Sequence, residues 1–530
     1  MDPLPEGAPS LDQEISRFAA LQAKLRGVWE GINSSPAWTH TSVVVPSLSF
    51  DQEELTKIQG VAFYEERLLF TLMRLRHPGA HVIYVTAQPI HPDIIDYYLH
   101  LLVGVPASHA RRRLALFCVY DASHKPLSQK ILERPRLVRR MREWLGDSSR
   151  AYLTCFNSSV WERRLAIALG IPLNGLDPEL LAFGTKTGSR RLFRECGVPL
   201  PEGIEAVYTR QEIVAALDEL ASRRPGIAKA VLKLDASFSG EGNAMYRYPE
   251  NLAATGPERA EALDAALEHL DWSAEAESPQ RYFRKFSEMG GIVEEFLEAA
   301  EVRSPSAQAR VLPTGDCEII STHEQLLGGK TGQAYLGCRF PADEDYRLRL
   351  QEHALSVGRA LAERGVVSRF AVDFLATRAS ADAPWDLHAI EINLRMGGTT
   401  HPFMALRFLT GGGLEEGTGT FLSPRGQEKH YLATDGLTSP AYRGLLPEDL
   451  MEILSSHGLH FRPSTETGVL FHMIGALSQY GRIGVTSFGN SAEEARELYD
   501  WAVEVLDRET GATRGGHMER IFDQVLPTME

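Results

Sequence analysis

Two carboxylates and a carboxamide, spaced along two short strand-like runs, are the residues in this sequence best suited to chemistry. Asp373 sits in RFAVDFLA (369–376), Glu391 and Asn393 sit in DLHAIEIN (386–393), and a polar ASADAP tip lies between the runs. Side chains alternate along a strand, so Glu391 and Asn393 share one face and Ile390 and Ile392 take the other. The midpoint between Asp373 and Glu391 falls at Asp382, inside the tip, and a hairpin would therefore set the two carboxylates opposite each other. Facing carboxylates repel unless a cation lies between them. With an amide oxygen beside them they suit a hard, oxygen-ligated ion such as Mg²⁺, which commonly holds nucleotide phosphates. Arg395 adds a fixed positive charge suited to a transferring phosphoryl group. The same residues also describe an edge hairpin with a solvated acidic face.

Other stretches carry weaker signals. A strand over 230–234 presents Lys233 and runs into a small-residue loop holding Ser239, Gly240, Gly242 and Asn243. Such a loop lets backbone amides approach phosphate oxygens beside a lysine charge, although a plain hairpin turn has the same composition. The apolar connector at 293–297, with Glu294, Phe296 and Leu297, precedes Glu301. It suits adenine packing with a glutamate on the ribose, or is an ordinary strand end. GGKTG at 328–332 is not a P-loop, because position 324 holds Glu where that motif needs Gly; it reads as a glycine-rich lid or a surface turn. His401, beside Pro402, reads as a structural turn residue.

These residues need a framework, and the chain is long enough for about three domains. Hydrophobic residues make up 43% of the 530 and charged residues 24%, the balance of a core-forming enzyme. A formal charge of −15 argues against nucleic acid as a partner. The five cysteines are scattered without metal-finger spacing, which fits free thiols in a reducing cytoplasm. The acidic N-terminus lacks the apolar core of a signal peptide, and no apolar run is long enough for a bilayer. The expected location is the cytosol, with no membrane partner.

Taken in order, residues 1–40 read as a tail and peripheral helix. Residues 41–176 alternate strands (42–46, 81–86, 114–120, 151–155) with helices (53–76, 93–103, from 135, 160–169), which implies a parallel sheet covered on both faces. No glycine-rich fingerprint follows any of these strands, so this region is a partner domain and not the nucleotide site. A helix start is expected at 183–193, a helix at 259–270 and another at 403–409. The last part shows a helix at 447–456, strands at 468–477 and 482–488, and a capping box opening a helix at Ser491.

The order and spacing of Lys186, Lys233 with its glycine loop, the 293–297 connector, Asp373, and Glu391 with Asn393 resemble the ATP-grasp superfamily. More narrowly, the chain resembles the pheganomycin-type peptide ligases in YEERLL (64–69), RPRL (134–137), GTKTGSR (184–190), GEGN (240–243), GCRFP (337–341) and NLRMGGTTHP (393–402). The resemblance runs from about residue 41 to 506. It implies an α/β and α+β architecture: a Rossmann-like pre-ATP-grasp domain (41–176), an ATP-grasp domain of two α+β subdomains clamping ATP (177–412), and a small C-terminal α+β domain (413–530). It further implies Lys186 and Lys233 on ATP phosphates, and Ser239, Gly240, Gly242 and Asn243 closing over them. Glu294, Phe296 and Leu297 would line the adenine pocket, with Glu301 on ribose. Asp373, Glu391 and Asn393 would hold Mg²⁺, and Arg395 would steady the transferred phosphate. Arg310 is a weaker candidate for that role or for substrate carboxylate. Superfamily members often carry an arginine two residues before the metal aspartate; here that position is Ala371, and Arg369 lies four before.

The implied activity is an ATP-dependent carboxylate–amine ligase in natural-product biosynthesis. It would join small-molecule or short-peptide acids and amines through an acyl phosphate, releasing ADP and phosphate, as a monomer or homo-oligomer. A non-catalytic nucleotide-binding regulator and a ligase with a thiol or hydroxyl acceptor remain alternatives.

Overall fold

The computed structural model describes residues 10–511 except 51, 56–57, 237–241, 254–255, 273–277 and 329–333. Ser239, Gly240 and most of the GGKTG stretch lie outside the described residues.

Four parallel strands, β1 (His40–Val45), β2 (Ala80–Thr86), β3 (Leu114–Cys118) and β4 (Ala151–Cys155), form a sheet in the order β3-β2-β1-β4. Every residue of β1 and β4 is buried. A parallel strand covered on both faces is buried without alternation, and in β1 that burial takes in His40, Thr41 and Ser42 as well as Val43, Val44 and Val45. The helix expected over 53–76 is instead a short helix, Gln52–Leu55, followed by a 3₁₀ helix, Val61–Arg76. Its apolar residues from Leu68 to Leu75 enter a core shared with the far end of the chain. The N-terminal segment forms two helices, Leu11–Gln22 and Leu25–Ser34. They are not peripheral: Glu14, buried, accepts from Nε of Arg163 at 2.8 Å and of Arg164 at 2.9 Å.

The second sheet is antiparallel, with β5 (Gly203–Val207), β6 (Lys229–Leu234), β7 (Asn243–Arg247), β8 (Asp271–Trp272) and β9 (Gly291–Glu295) in the order β5-β9-β6-β7-β8. The expected helix at 259–270 is Pro257–Ala266 followed by a 3₁₀ turn.

The third sheet has eleven strands and begins with β10 (Glu301–Arg303), β11 (Pro305–Val311), β12 (Cys317–Gly328), β13 (Ala334–Phe340), β14 (Ser368–Arg378) and β15 (Asp386–Asn393). It continues through β16 (Gly413–Leu414), β17 (Phe421–Leu422), β18 (Glu428–Thr438), β19 (Gly468–His472) and β20 (Arg482–Gly489). Because β13 pairs with β18 and β18 with β20, no break in the sheet marks the expected boundary at 412. Residues 473–477, expected in a strand, leave it: the chain turns after His472 into the helix Ala476–Tyr480. Ser491 caps the last helix, Ala492–Thr510, by accepting from Glu494 N, but the reciprocal bond differs from the expected box. The Glu494 carboxylate accepts instead from Asn490 N at 2.6 Å.

β14 shows how this framework positions a site. Its burial alternates, with Phe370, Val372 and Phe374 in the core that includes Leu350, Val357 and Leu361 of helix Arg347–Glu363. Period-two alternation then turns Arg369, Ala371 and Asp373 to the opposite face.

Candidate active site

Asp373 pairs directly with Glu391, and Ala371 with Asn393, across the antiparallel β14–β15 ladder. A bulge follows between Asp373 and Phe374, so the register shifts beyond the pair. Asn393 Nδ2 donates to Asp373 Oδ2 at 2.8 Å and to Glu391 Oε1 at 3.0 Å. Gln325 Nε2, from β12, donates to Asp373 Oδ1 at 2.7 Å. Burial and the neighbouring Glu391 push the Asp373 carboxyl well above the usual carboxylate range, against the pull of Arg395. Burial acts the same way on Glu391, but the Lys186 ammonium, ion-paired with it, and Asn393 hold it low. One carboxyl is thus satisfied in the free protein and its partner is short of positive charge.

Lys186 opens helix Lys186–Glu195, and Thr185 caps that helix by accepting from Gly188 N at 2.9 Å. A Cβ on Gly188 would lie 1.9 Å from Ala182 O, so only glycine fits where the preceding 3₁₀ turn folds against the helix. Ser189 Oγ accepts from Ile392 N at 3.0 Å, which ties this helix to β15 and brings Lys186 to Glu391. From the second sheet, Lys233 on β6 is ion-paired with Glu294 on β9, and Arg190 Nη1 donates to the same glutamate at 2.8 Å.

These groups line one cavity of about 890 Å³ between the second and third sheets, within the usual range for small-molecule sites. Lys186, Lys233, Asn243, Glu294, Phe296, Leu297, Asp373, Glu391, Asn393 and Arg395 all border it. Gly242 does not; its carbonyl accepts from Leu234 N at 3.1 Å and from the Tyr282 hydroxyl at 3.2 Å. Glu301 is not at the cavity either, contrary to its expected place on a ribose, because Arg378 Nη2 takes its carboxylate at 2.6 Å. Just after the 293–297 connector, Glu298 lines the cavity instead. Arg310 also lies elsewhere, one row beyond Gln308 on the same face of β11, where Asn174 Oδ1 accepts from it at 3.1 Å.

Several lining residues escaped the sequence reading. Arg67 and Asp435 form an ion pair at 2.6 Å, from opposite ends of the chain, and His472 is bonded to the same aspartate at 2.7 Å. The only sequence signal was the YEERLL stretch. Gln325 gave none, since its role depends on which strand neighbours β14. His401 is not a turn residue: it is buried in helix Thr400–Thr410, its ring stacked on His472 with centroids 4.0 Å apart.

The donor set fits a hard divalent cation. Two carboxylates converge, and the groups now among them are the Lys186 ammonium, which carries positive charge, and the Asn393 amide N–H, a neutral donor. Rotating the Asn393 amide by half a turn would place its oxygen where its nitrogen lies.

Residues 179–255 and 260–416 match the family described as IQCH-like, ATP-grasp, and residues 449–501 match the PGM1 C-terminal domain. The L-propargylglycine–L-glutamate ligase of Streptantibioticus cattleyicolor is 29% identical over 474 residues, covering 88% of this chain and 94% of that protein. The IQ motif-containing protein H of Danio rerio is 23% identical over 424 residues, 72% of this chain but 40% of its own length. In fold, the chain is similar to the biotin carboxylase domain of the Hydrogenobacter thermophilus 2-oxoglutarate carboxylase, with a TM-score of 0.51, 12% identity, and 88% and 89% of the two chains covered. The Campylobacter jejuni biotin carboxylase gives 0.51 at 13% identity, with 88% and 90% covered. The middle of the chain thus matches an ATP-grasp family model, and along most of its length the chain is similar to an L-propargylglycine–L-glutamate ligase.

Proposed function

We propose that this protein is an ATP-dependent carboxylate–amine ligase that forms a peptide or peptide-like amide bond. The observation that carries the reading is the convergence of Asp373, Glu391 and Asn393 on one wall of a cavity whose other wall carries Lys233. Its relative from Streptantibioticus cattleyicolor, a ligase by name, supports it.

In this reading, Lys186 and Lys233 hold the nucleotide phosphates, and Glu294, Phe296 and Leu297 of the 293–297 connector receive the adenine. Lys233 then exchanges part of its bond with Glu294, whose charge Arg190 continues to neutralise. Asp373, Glu391 and Asn393 hold Mg²⁺, which when bound draws charge from the phosphate oxygens. Arg395 faces the oxygen that gains charge as the substrate carboxylate attacks the γ-phosphorus and the bond to ADP breaks. The amine nitrogen next attacks the acyl phosphate carbon, loses a proton, and phosphate leaves. Each step needs charge placement and exclusion of water and no covalent nucleophile, in keeping with the lysines, arginine and oxygen donors of the site.

The test is amine-dependent release of ADP and phosphate in a screen of amino acids and short peptides. Glu391→Ala or Asp373→Ala is expected to abolish amide formation with an unchanged circular dichroism spectrum. Near wild-type turnover by either variant, or release of AMP and pyrophosphate, would overturn the reading.

A further inference from the structure

A second cavity of about 790 Å³ adjoins the first, and Arg369 and Arg395 border both. Among the described residues its lining holds Arg74, Arg76, Arg310, Arg369, Arg395 and Arg407 and no aspartate or glutamate. Arg310 and Arg369 are direct cross-strand partners on β11 and β14, an arrangement in which like charges destabilise a sheet. Their partners are largely neutral. Arg310 meets the Asn174 amide oxygen and stacks over Trp29 at 4.3 Å, and Arg74 Nη1 donates to the hydroxyls of Ser42 and Tyr152 at 2.7 and 3.0 Å. Arg369 Nη1 is shut off from solvent and has no hydrogen-bond partner among the described residues. Glu318 on β12, the carboxylate whose charge acts on Arg310 and Arg369, pairs with Arg310 across the ladder but does not line the cavity. Burial, with the neighbouring arginines, drives the Arg369 guanidinium well below its ordinary pKa and pushes Arg310 down to about 10.

Leaving guanidinium donors buried without an anion costs free energy that a ligand carrying negative charge would recover. The planar, paired donors of guanidiniums match carboxylates, as they do phosphates. Arg369 lies four residues along β14 from Asp373, roughly 13 Å at about 3.3 Å per residue. One small molecule can span that distance. We infer that the second cavity holds an acid bearing at least two carboxylates: one is presented past Arg395 to the Asp373 and Glu391 wall, and the rest are gripped by Arg310, Arg369 and Arg74. The identity of this acid as the activated substrate rests on the ligase reading above; its binding does not.

The experiment is calorimetric titration of the full chain, without nucleotide, with glutarate, citrate, inorganic pyrophosphate and butyrate. It is run on the wild type and on the R310Q/R369Q double variant. Glutarate or citrate is expected to bind the wild type at least about tenfold more tightly than butyrate does, and about tenfold more tightly than it binds the variant, the scale of a lost charge-assisted bond. Butyrate binding as well as glutarate and citrate, or the variant binding them as well as the wild type, overturns the proposal. Pyrophosphate binding more tightly than both carboxylic acids overturns the choice of carboxylate. Without anion, the variant is expected to melt no lower than the wild type, since it loses a repulsion; a lower melting temperature shows that the arginines are already paired and also overturns it. MgADP titrated into the wild type tests the nucleotide reading separately, because the acid titrations contain none.

Discussion

At the scale of single residues, the site is a set of charges that are each partly answered inside the protein. Glu294 accepts from both Lys233 and Arg190, so removing the lysine does not leave a buried carboxylate bare. Lys233→Ala is therefore expected to fold and to raise the KM for ATP by about tenfold, the size of one charge-assisted hydrogen bond. Initial-rate kinetics over ATP concentration check this; an unchanged KM would remove Lys233 from the phosphate role. The carboxylate pair was legible because a hairpin's register follows from its midpoint, which put Asp373 and Glu391 together by counting alone. Glu301 was misplaced for the complementary reason. Whether a carboxylate faces a ribose or a neighbouring arginine depends on Arg378, 77 positions away.

At the scale of elements, β14 separates stability from chemistry by its two faces. Leu361, wholly buried on the helix beneath it, shares a core with Phe370, Val372 and Phe374. Leu361→Ala is expected to lower stability by about 2 to 5 kcal/mol through the cavity it leaves. The folded fraction should keep the wild-type KM for ATP, whereas Asp373→Asn should keep stability and lose activity. Denaturant titration beside kinetics distinguishes the two. Strands and helices were legible where apolar periodicity was long. The 3₁₀ helix Val61–Arg76 was not, because an apolar stripe does not tell i to i+3 from i to i+4 hydrogen bonding. The end of β19 was missed because apolar residues continue past His472 into a buried turn and helix.

At the scale of the molecule, the two ends of the chain share one core. Glu66, on the 3₁₀ helix, accepts from Gly475 N at 3.0 Å, and burial pushes its carboxyl up from about 4.5 to about 7. A carboxyl whose pKa rises on folding contributes stability fully below its unfolded value and loses it as pH climbs through the folded one. The melting temperature of the wild type relative to Glu66→Gln is therefore expected to be highest below about pH 4.5 and to fall as pH rises from there through about 7. A difference independent of pH would show that Glu66 is not held protonated. The sequence by itself determined the alternation of strands and helices, the facing of Asp373 and Glu391, and the types of charge available, because these depend on local periodicity and on neighbours within a hairpin. Only the tertiary structure decided which distant segments complete the walls: Lys186 beside Glu391, Gln325 on Asp373, Arg67 with Asp435, and Arg310 drawn into the second cavity opposite Arg369. Those pairings follow from sheet order and from packing between segments that lie from 48 to 368 residues apart, where the number of alternatives is large and no local period selects among them.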